Sequence, residues 1–158
     1  MSERAIFAAG CFWHVQETFS GLKGVISTAA GYSGGSVKDP TYEMVCTGRT
    51  GHAESVLVEY DPSVISYDRL LEAFWGMHDP TTPDRQGPDR GTQYRSAIFY
   101  TTEEQREKAI ASMGLLQGSG RFKGKRIVTE IAPASEFYRA EEYHQHNLRK
   151  NRTASCGI

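Results

Sequence analysis

Three cysteines, Cys11, Cys46 and Cys156, are the residues of this chain best suited to making and breaking covalent bonds. Their number is odd, they lie far apart, and none forms a C-x-x-C pair, so they read neither as a disulfide framework nor as structural zinc ligands. A few scattered thiols serve as buried filler or as chemistry, and each must be judged by its surroundings. Cys11 stands in Gly10-Cys11-Phe12-Trp13, where a short apolar strand hands over to a helical pattern. A thiol in the first helical turn faces backbone N–H groups without partners and the positive end of the macrodipole. That setting favours thiolate, the nucleophilic form. The structural alternative is a small residue plugging the strand–helix corner. Phe12 and Trp13 are neighbours and cannot share one helix face. At least one therefore points away from the core side as the wall of a small apolar pocket, unless both fill core on opposite sides.

The elements that must position these side chains follow from periodicity. Arg4 to Ala9 is a strand ended by Gly10, and Phe12 to Leu22 is a helix with Phe12, Val15, Phe19 and Leu22 at helical spacing. Gly24 to Ala30 reads as a buried strand running into the turn GYSGG. Thr41 to Cys46 gives one or two helical turns before the loop TGRTG. Glu54 to Tyr60 alternates, with Val56, Val58 and Tyr60 on one side of a half-buried strand. Ser66 is the expected N-cap of a helix whose apolar face carries Tyr67, Leu70, Leu71, Phe74 and Trp75. His78 to Thr92 is a long loop rich in Pro, Gly and Asp, and loops of that length inside a compact domain are usually functional. Arg95 to Tyr100 is a strand, Thr102 with Gln105 opens a helix to about Gln117, Ile127 to Ala132 is the last strand, and Ala140 to Lys150 the final helix. The polar run from Asn151 is expected to be a mobile tail. Some neighbouring strands have no crossover helix between them, which favours an α+β sheet with packed helices over a doubly wound fold.

Bulk properties narrow the class. A chain of 158 residues suits one domain, expected here as residues 1–150 with a tail at 151–158. The net charge of −1 gives no basis for binding nucleic acid or an anionic membrane. No apolar stretch approaches the roughly 20 residues of a spanning helix, and the apolar run near the start is too short for a signal peptide. A cytoplasmic, monomeric protein is the expectation.

GCFWHVQETF closely resembles the active-site signature of the peptide methionine sulfoxide reductase A family, usually Gly-Cys-Phe-Trp-Gly, with His14 replacing the second glycine. The likeness continues through GYSGG, residues 40–62 (PTYEMVCTGRTGHAESVLVEYDP), residues 86–100 (QGPDRGTQYRSAIFY) and AEEYHQ from Ala140. These segments stand in the family's order over nearly the whole chain. The resemblance implies a two-layer α+β sandwich, a ferredoxin-like plait with a mixed sheet. It implies Cys11 as nucleophile toward the sulfoxide sulfur, leaving a sulfenic acid as methionine departs. Glu54 matches the family's acid, a carboxyl expected to be partly buried and protonated at the start of its strand. Tyr42 and Tyr94 match hydroxyl donors to the sulfoxide oxygen, and Asp89 a further polar group. Phe12 and Trp13 are expected to cradle the ε-methyl. Cys156 is the expected resolving cysteine, with thioredoxin, or dithiothreitol in vitro, as reductant and no bound metal, flavin or nicotinamide. The implied substrate is methionine S-sulfoxide, free or in peptides and proteins. Cys46 is read as buried filler, Trp75 as core, and His14 as solvated.

Three other readings compete. Cys11 with His52 or His144, and Glu54 or Asp89 as third group, would make a cysteine hydrolase or acyl transferase. His52-Ala53-Glu54 imitates the H-x-E of zinc deaminases but lacks the following P-C-x-x-C. A non-catalytic binding module would use the aromatic surface and ignore the thiol.

Overall fold

The computed structural model describes residues 2–150. Its centre is a six-stranded sheet. Strand β1 (Glu3–Ala9) lies between β3 (Ala53–Tyr60) and β6 (Ser96–Tyr100), and β2 (Val25–Ser33) pairs with the other edge of β3. These four run antiparallel to their neighbours in the order β6-β1-β3-β2. The sheet is extended by β7 (Glu130–Pro133), parallel to β6, and by β8 (Tyr138–Arg139), antiparallel to β2. One parallel pair among antiparallel ones makes the sheet mixed, and the fold is α+β.

Alternation along β1 divides the interior. Ala5, Phe7 and Ala9 join the main core, while Ile6 and Ala8 join a smaller cluster on the other face with Ala53, Ala97 and Phe99. The main core is closed by α1 (Phe12–Ser20), α3 (Tyr67–Gly76) and α4 (Glu103–Gln117) through Phe12, Val15, Phe19, Leu70, Leu71, Phe74 and Ala109. Phe7 lies at the meeting point, its ring 4.9 Å from Phe19 and 5.3 Å from Phe74. The helix starts match the sequence signals: Ser66 Oγ accepts from the Arg69 N–H and Thr102 Oγ1 from the Gln105 N–H. Trp75 is core, its indole N–H donating to Ser112 Oγ at 2.7 Å.

Four sequence expectations need correction. The strand β2 continues through Gly31-Tyr32-Ser33, so the turn begins only at Gly34. Gly31 is required within the strand, because a Cβ there would sit 2.5 Å from the Tyr138 carbonyl and 2.4 Å from the Phe137 ring. The loop 78–92 holds a small hairpin, β4 (Arg85–Gln86) with β5 (Asp89–Arg90), and ends in a 3-10 turn over Thr92–Tyr94. The strand expected from Ile127 starts at Glu130, since the Val128 N–H goes instead to the Pro80 carbonyl. It is not the last strand, for β8 follows it.

The helix expected over 140–150 is replaced by a strap: a 3-10 turn at Glu142–His144, a break, and a short α5 (Asn147–Lys150). Its hydrogen bonds leave the segment. The Ala140 N–H donates to the Ala30 carbonyl, and the Gln145 side chain takes both the Ala30 N–H and its carbonyl at 2.9 Å. The His146 N–H donates to Gln16 Oε1, with His146 in the left-handed region at φ 53°. Bonds to β2 and α1 thus outcompete local helix propensity. Gln145→Ala takes the acceptor from the buried Ala30 N–H, while the Ala30 carbonyl keeps the Ala140 N–H, and is expected to lower stability by about 1–3 kcal/mol in urea unfolding. A loss below about 0.5 kcal/mol, the range of an ordinary surface change, would show that the strap is not held this way.

Candidate active site

Cys11 is the N-cap of α1, partly exposed, with φ −58° and ψ 123°. The glycine before it has φ +94°, and a Cβ there would come within 2.9 Å of Gln86. Only glycine both turns the chain and lets the β4–β5 hairpin close over this corner. Gln86 is fixed in turn by the Asp79 N–H, which donates to its Oε1 at 3.0 Å.

Period-two alternation puts Glu54 on the same face of β3 as Val56, Val58 and Tyr60, so the strand aims a carboxyl into the core side of the sheet. It is 1% exposed, and its Oε1 accepts the Phe12 N–H at 3.2 Å. The carboxyl therefore meets the first turn of α1, next to Cys11. The cross-strand partner of Glu54 is Tyr32, equally buried, whose hydroxyl donates to Glu141 Oε1 at 2.7 Å.

Tyr42 opens α2 (Tyr42–Cys46), and its N–H donates to the second oxygen of Glu141 at 2.9 Å. Against the desolvation that would raise it, the hydrogen bonds from Tyr42 and Tyr32 hold the Glu141 carboxyl below its usual range. Tyr94 ends the 3-10 turn after β5, where its phenol feels the charges of Glu54, Cys46, Asp89 and Cys11. Burial, then Glu54 and Cys46, push Tyr94 far up; burial and a hydrogen bond with Cys46 do the same to Tyr42. Both phenols hold their protons throughout the physiological range and are neutral donors. Burial likewise raises Asp89. The geometry thus brings together Cys11, Glu54, Tyr42, Tyr94 and Asp89 from four separate stretches of sequence.

The adjacent aromatics divide their work. Phe12 is 1% exposed, its ring 5.7 Å from Tyr32 and 5.0 Å from His144, so it belongs to the interior. Trp13 is the half-buried member, and its indole N–H donates to His144 Nδ1 at 2.8 Å. Sequence reasoning missed Tyr32, Glu141 and the role of His144. The motif AEEYHQ, which carries Glu141 and His144, has no periodicity that separates it from a helix, so only the tertiary fold reveals what it touches.

Several expectations change here. Cys46 is exposed on α2 and does not fill the core; desolvation of its sulfur and the nearby Glu54 and Glu141 push the thiol up, opposed by its bond with Tyr42. His14 is not solvated: its Nε2 meets the Met77 carbonyl at 3.0 Å, tying α1 to the end of α3. Burial pushes the neighbouring His78 down to about 4. His52 is 2% exposed and engaged at both nitrogens, by the Gly35 N–H and the Val37 carbonyl. His144 is occupied by Trp13. Neither histidine is placed to serve Cys11 as base. Among the described residues no group of three or more His, Cys, Asp or Glu could hold a metal ion, and no helix is long and apolar enough to cross a membrane. Cys156 lies outside the described residues.

What remains is an α+β sheet on which a cysteine at a helix start lies near a buried carboxyl and two phenols. The sequence profile described as peptide methionine sulfoxide reductase matches residues 3–158. A protein named peptide methionine sulfoxide reductase MsrA from Methanothermobacter thermautotrophicus is 58% identical over 154 residues, covering 98% of this chain and 90% of that one. Among solved structures, reduced Mxr1 from Saccharomyces cerevisiae superposes with a TM-score of 0.91 at 34% identity, over 98% of this chain and 88% of that one. Methionine sulfoxide reductase A of Corynebacterium diphtheriae gives 0.90 at 37%, over 99% and 82%. The yeast protein has also been solved in complex with Trx2. The chain belongs to the peptide methionine sulfoxide reductase family, in its A class, and is an oxidoreductase acting on methionine sulfoxide.

Because His14 points to Met77, His14→Gly is expected to cost about 1–2 kcal/mol of stability, from the lost bond and the helix-interior glycine. The pH profile of Cys11 alkylation should stay as it is in the parent protein; a displaced profile would mean that the imidazole tunes the thiol after all.

Proposed function

We propose that Cys11 is the nucleophile of this reductase and Glu54 its acid, with Tyr42 and Tyr94 donating to the sulfoxide oxygen and Asp89 a further polar group of the site. The observation that carries the reading is the buried Glu54 carboxyl bonded to the Phe12 N–H at the start of the Cys11 helix. Burial penalises the ionised form of a carboxyl, so Glu54 is suited to arrive with a proton for an oxygen that leaves poorly without one. The neutral phenols add hydrogen bonds without adding charge, which suits a strong S–O dipole in a dry site. Trp13, backed by Phe12, supplies the apolar wall for the ε-methyl.

The atoms balance in two stages. The Cys11 sulfur bonds to the sulfoxide sulfur, the oxygen is protonated, and thioether leaves as Cys11 takes the oxygen to become a sulfenic acid. The thiol of Cys156 then displaces that oxygen as water and forms a disulfide. A thioredoxin dithiol reduces the disulfide by exchange, regenerating both thiols; the complex of the yeast relative with Trx2 supports this source of electrons. We assign the S epimer as substrate, free or within peptides and proteins, and residues 1–150 as one catalytic domain. The strand order β6-β1-β3-β2, with α1 and α3 as its two crossovers, supports a ferredoxin-like plait.

With separated sulfoxide epimers and dithiothreitol, Cys11→Ser should abolish reduction of the S epimer. Glu54→Gln keeps an acceptor for the Phe12 N–H and should reduce turnover by about 10²- to 10⁴-fold. Activity close to that of the parent in either variant removes the assignment. Cys156→Ser should retain a single turnover and lose thioredoxin-coupled cycling; unchanged cycling would transfer the resolving role to Cys46.

A further inference from the structure

We infer that His144 is a positioning residue for this reaction: it holds the Trp13 indole as a wall of the site through a hydrogen bond that only the neutral imidazole can accept, so that acid releases Trp13. The inference rests on the role proposed for Trp13 in the methyl pocket and goes beyond it by naming what fixes that ring.

An indole nitrogen only donates. Its 2.8 Å contact therefore requires a lone pair on His144 Nδ1, which places the proton of the neutral ring on Nε2. His144 is 1% exposed, and among the described residues its Nε2 has no hydrogen-bond partner. The imidazole is wedged between helix starts, 5.0 Å from the Phe12 ring and 4.4 Å from Tyr42, and is covered from outside by Tyr143 at 4.0 Å. Its backbone has little freedom to adjust. Glu141, three residues before, is bonded to Tyr42 and Tyr32, and Gln145, directly after, is bonded to Ala30. The strap therefore delivers this ring to Trp13 from 131 residues away in sequence.

The titratable groups around it are few. Its own segment brings Glu141 and Tyr143, α2 brings Tyr42 with Cys46, and β2 brings Tyr32. The start of α1 presents the uncharged Phe12 and Trp13, with Cys11 before them and Glu54 of β3 bonded to the Phe12 N–H. Desolvation lowers the His144 value below 6.5, and Glu141, the one charge that favours the cation, opposes it. The neutral ring and its bond are thus present at and above the ordinary imidazole range, and are lost as pH falls through the lowered value. Protonation would put a hydrogen on Nδ1 directly opposite the indole hydrogen. Attraction at that contact becomes repulsion, and the half-buried Trp13 has solvent to turn into.

The chain has two tryptophans, so each gives one indole cross-peak in a ¹⁵N–¹H spectrum, and Trp75, bonded to Ser112, is an internal reference. The Trp13 cross-peak is expected to shift or broaden in a step on the acid side of the ordinary imidazole range, while that of Trp75 stays. In His144→Asn, whose side-chain oxygen takes the place of Nδ1 and does not titrate, the step should vanish and dithiothreitol-driven kcat/KM for a sulfoxide peptide should remain within about threefold. In His144→Leu, kcat/KM at neutral pH should fall about tenfold with the S-epimer preference weakened. A step that persists in His144→Asn overturns the inference, as does parent-like kcat/KM in a folded His144→Leu. If the leucine variant does not fold, the asparagine titration still decides. The cross-peak titration needs no turnover, so its failure is distinct from failure of the mechanism proposed for Cys11.

Discussion

The bond between the buried Glu54 carboxyl and the Phe12 N–H is the constraint around which this molecule is arranged. A carboxyl in the interior is tolerated only with polar partners, because desolvation of an unsatisfied one costs several kcal/mol. The start of α1 supplies such a partner: helix-terminal N–H groups have no acceptor within the helix. That same start is where the thiol stands. One contact thus satisfies a buried acid, anchors a helix to a strand, and sets acid and sulfur side by side.

The strap from Ala140 to Asn147 turns that contact into a complete site. It leaves β8, spends its polar groups on other elements, and never forms the helix its composition suggests. Glu141 links β2 to α2 through Tyr32 and Tyr42, and Gln145 clamps the outer edge of β2 at the buried Ala30. An ionised Glu141 suits this place because both its oxygens receive hydrogen bonds from neutral donors. Edge capping by side-chain amide also serves the sheet, since β2 pairs with β8 over only two residues.

The apolar groove of about 530 Å³ between α3 and α4, lined by Leu71, Trp75 and Leu115, lies apart from this chemistry. The site proposed for Cys11 is a corner where a glycine-turned strand end, a hairpin and a strap converge.

Most of the regular elements were legible in the sequence because local patterns decide them. Alternation fixed which side of β3 carries Val56, Val58 and Tyr60, and side-chain caps at Ser66 and Thr102 marked the starts of α3 and α4. Gly10-Cys11 marked the corner between β1 and α1, and the order of motifs identified the family. The errors share a cause. Residues 140–150 have helical composition, yet their hydrogen-bond partners lie on β2 and α1, more than a hundred positions away. Nothing in the helix of His14 reveals the Met77 carbonyl that holds it, and a helix as short as α2 does not show which of its faces leaves Cys46 exposed. By itself the sequence determined which local elements form and which of them bear the candidate residues, since periodicity and capping act over a few residues. Only the tertiary structure decided which acid meets which helix start and which histidine holds which tryptophan, because those are pairings of buried polar groups and depend on where the whole sheet brings them.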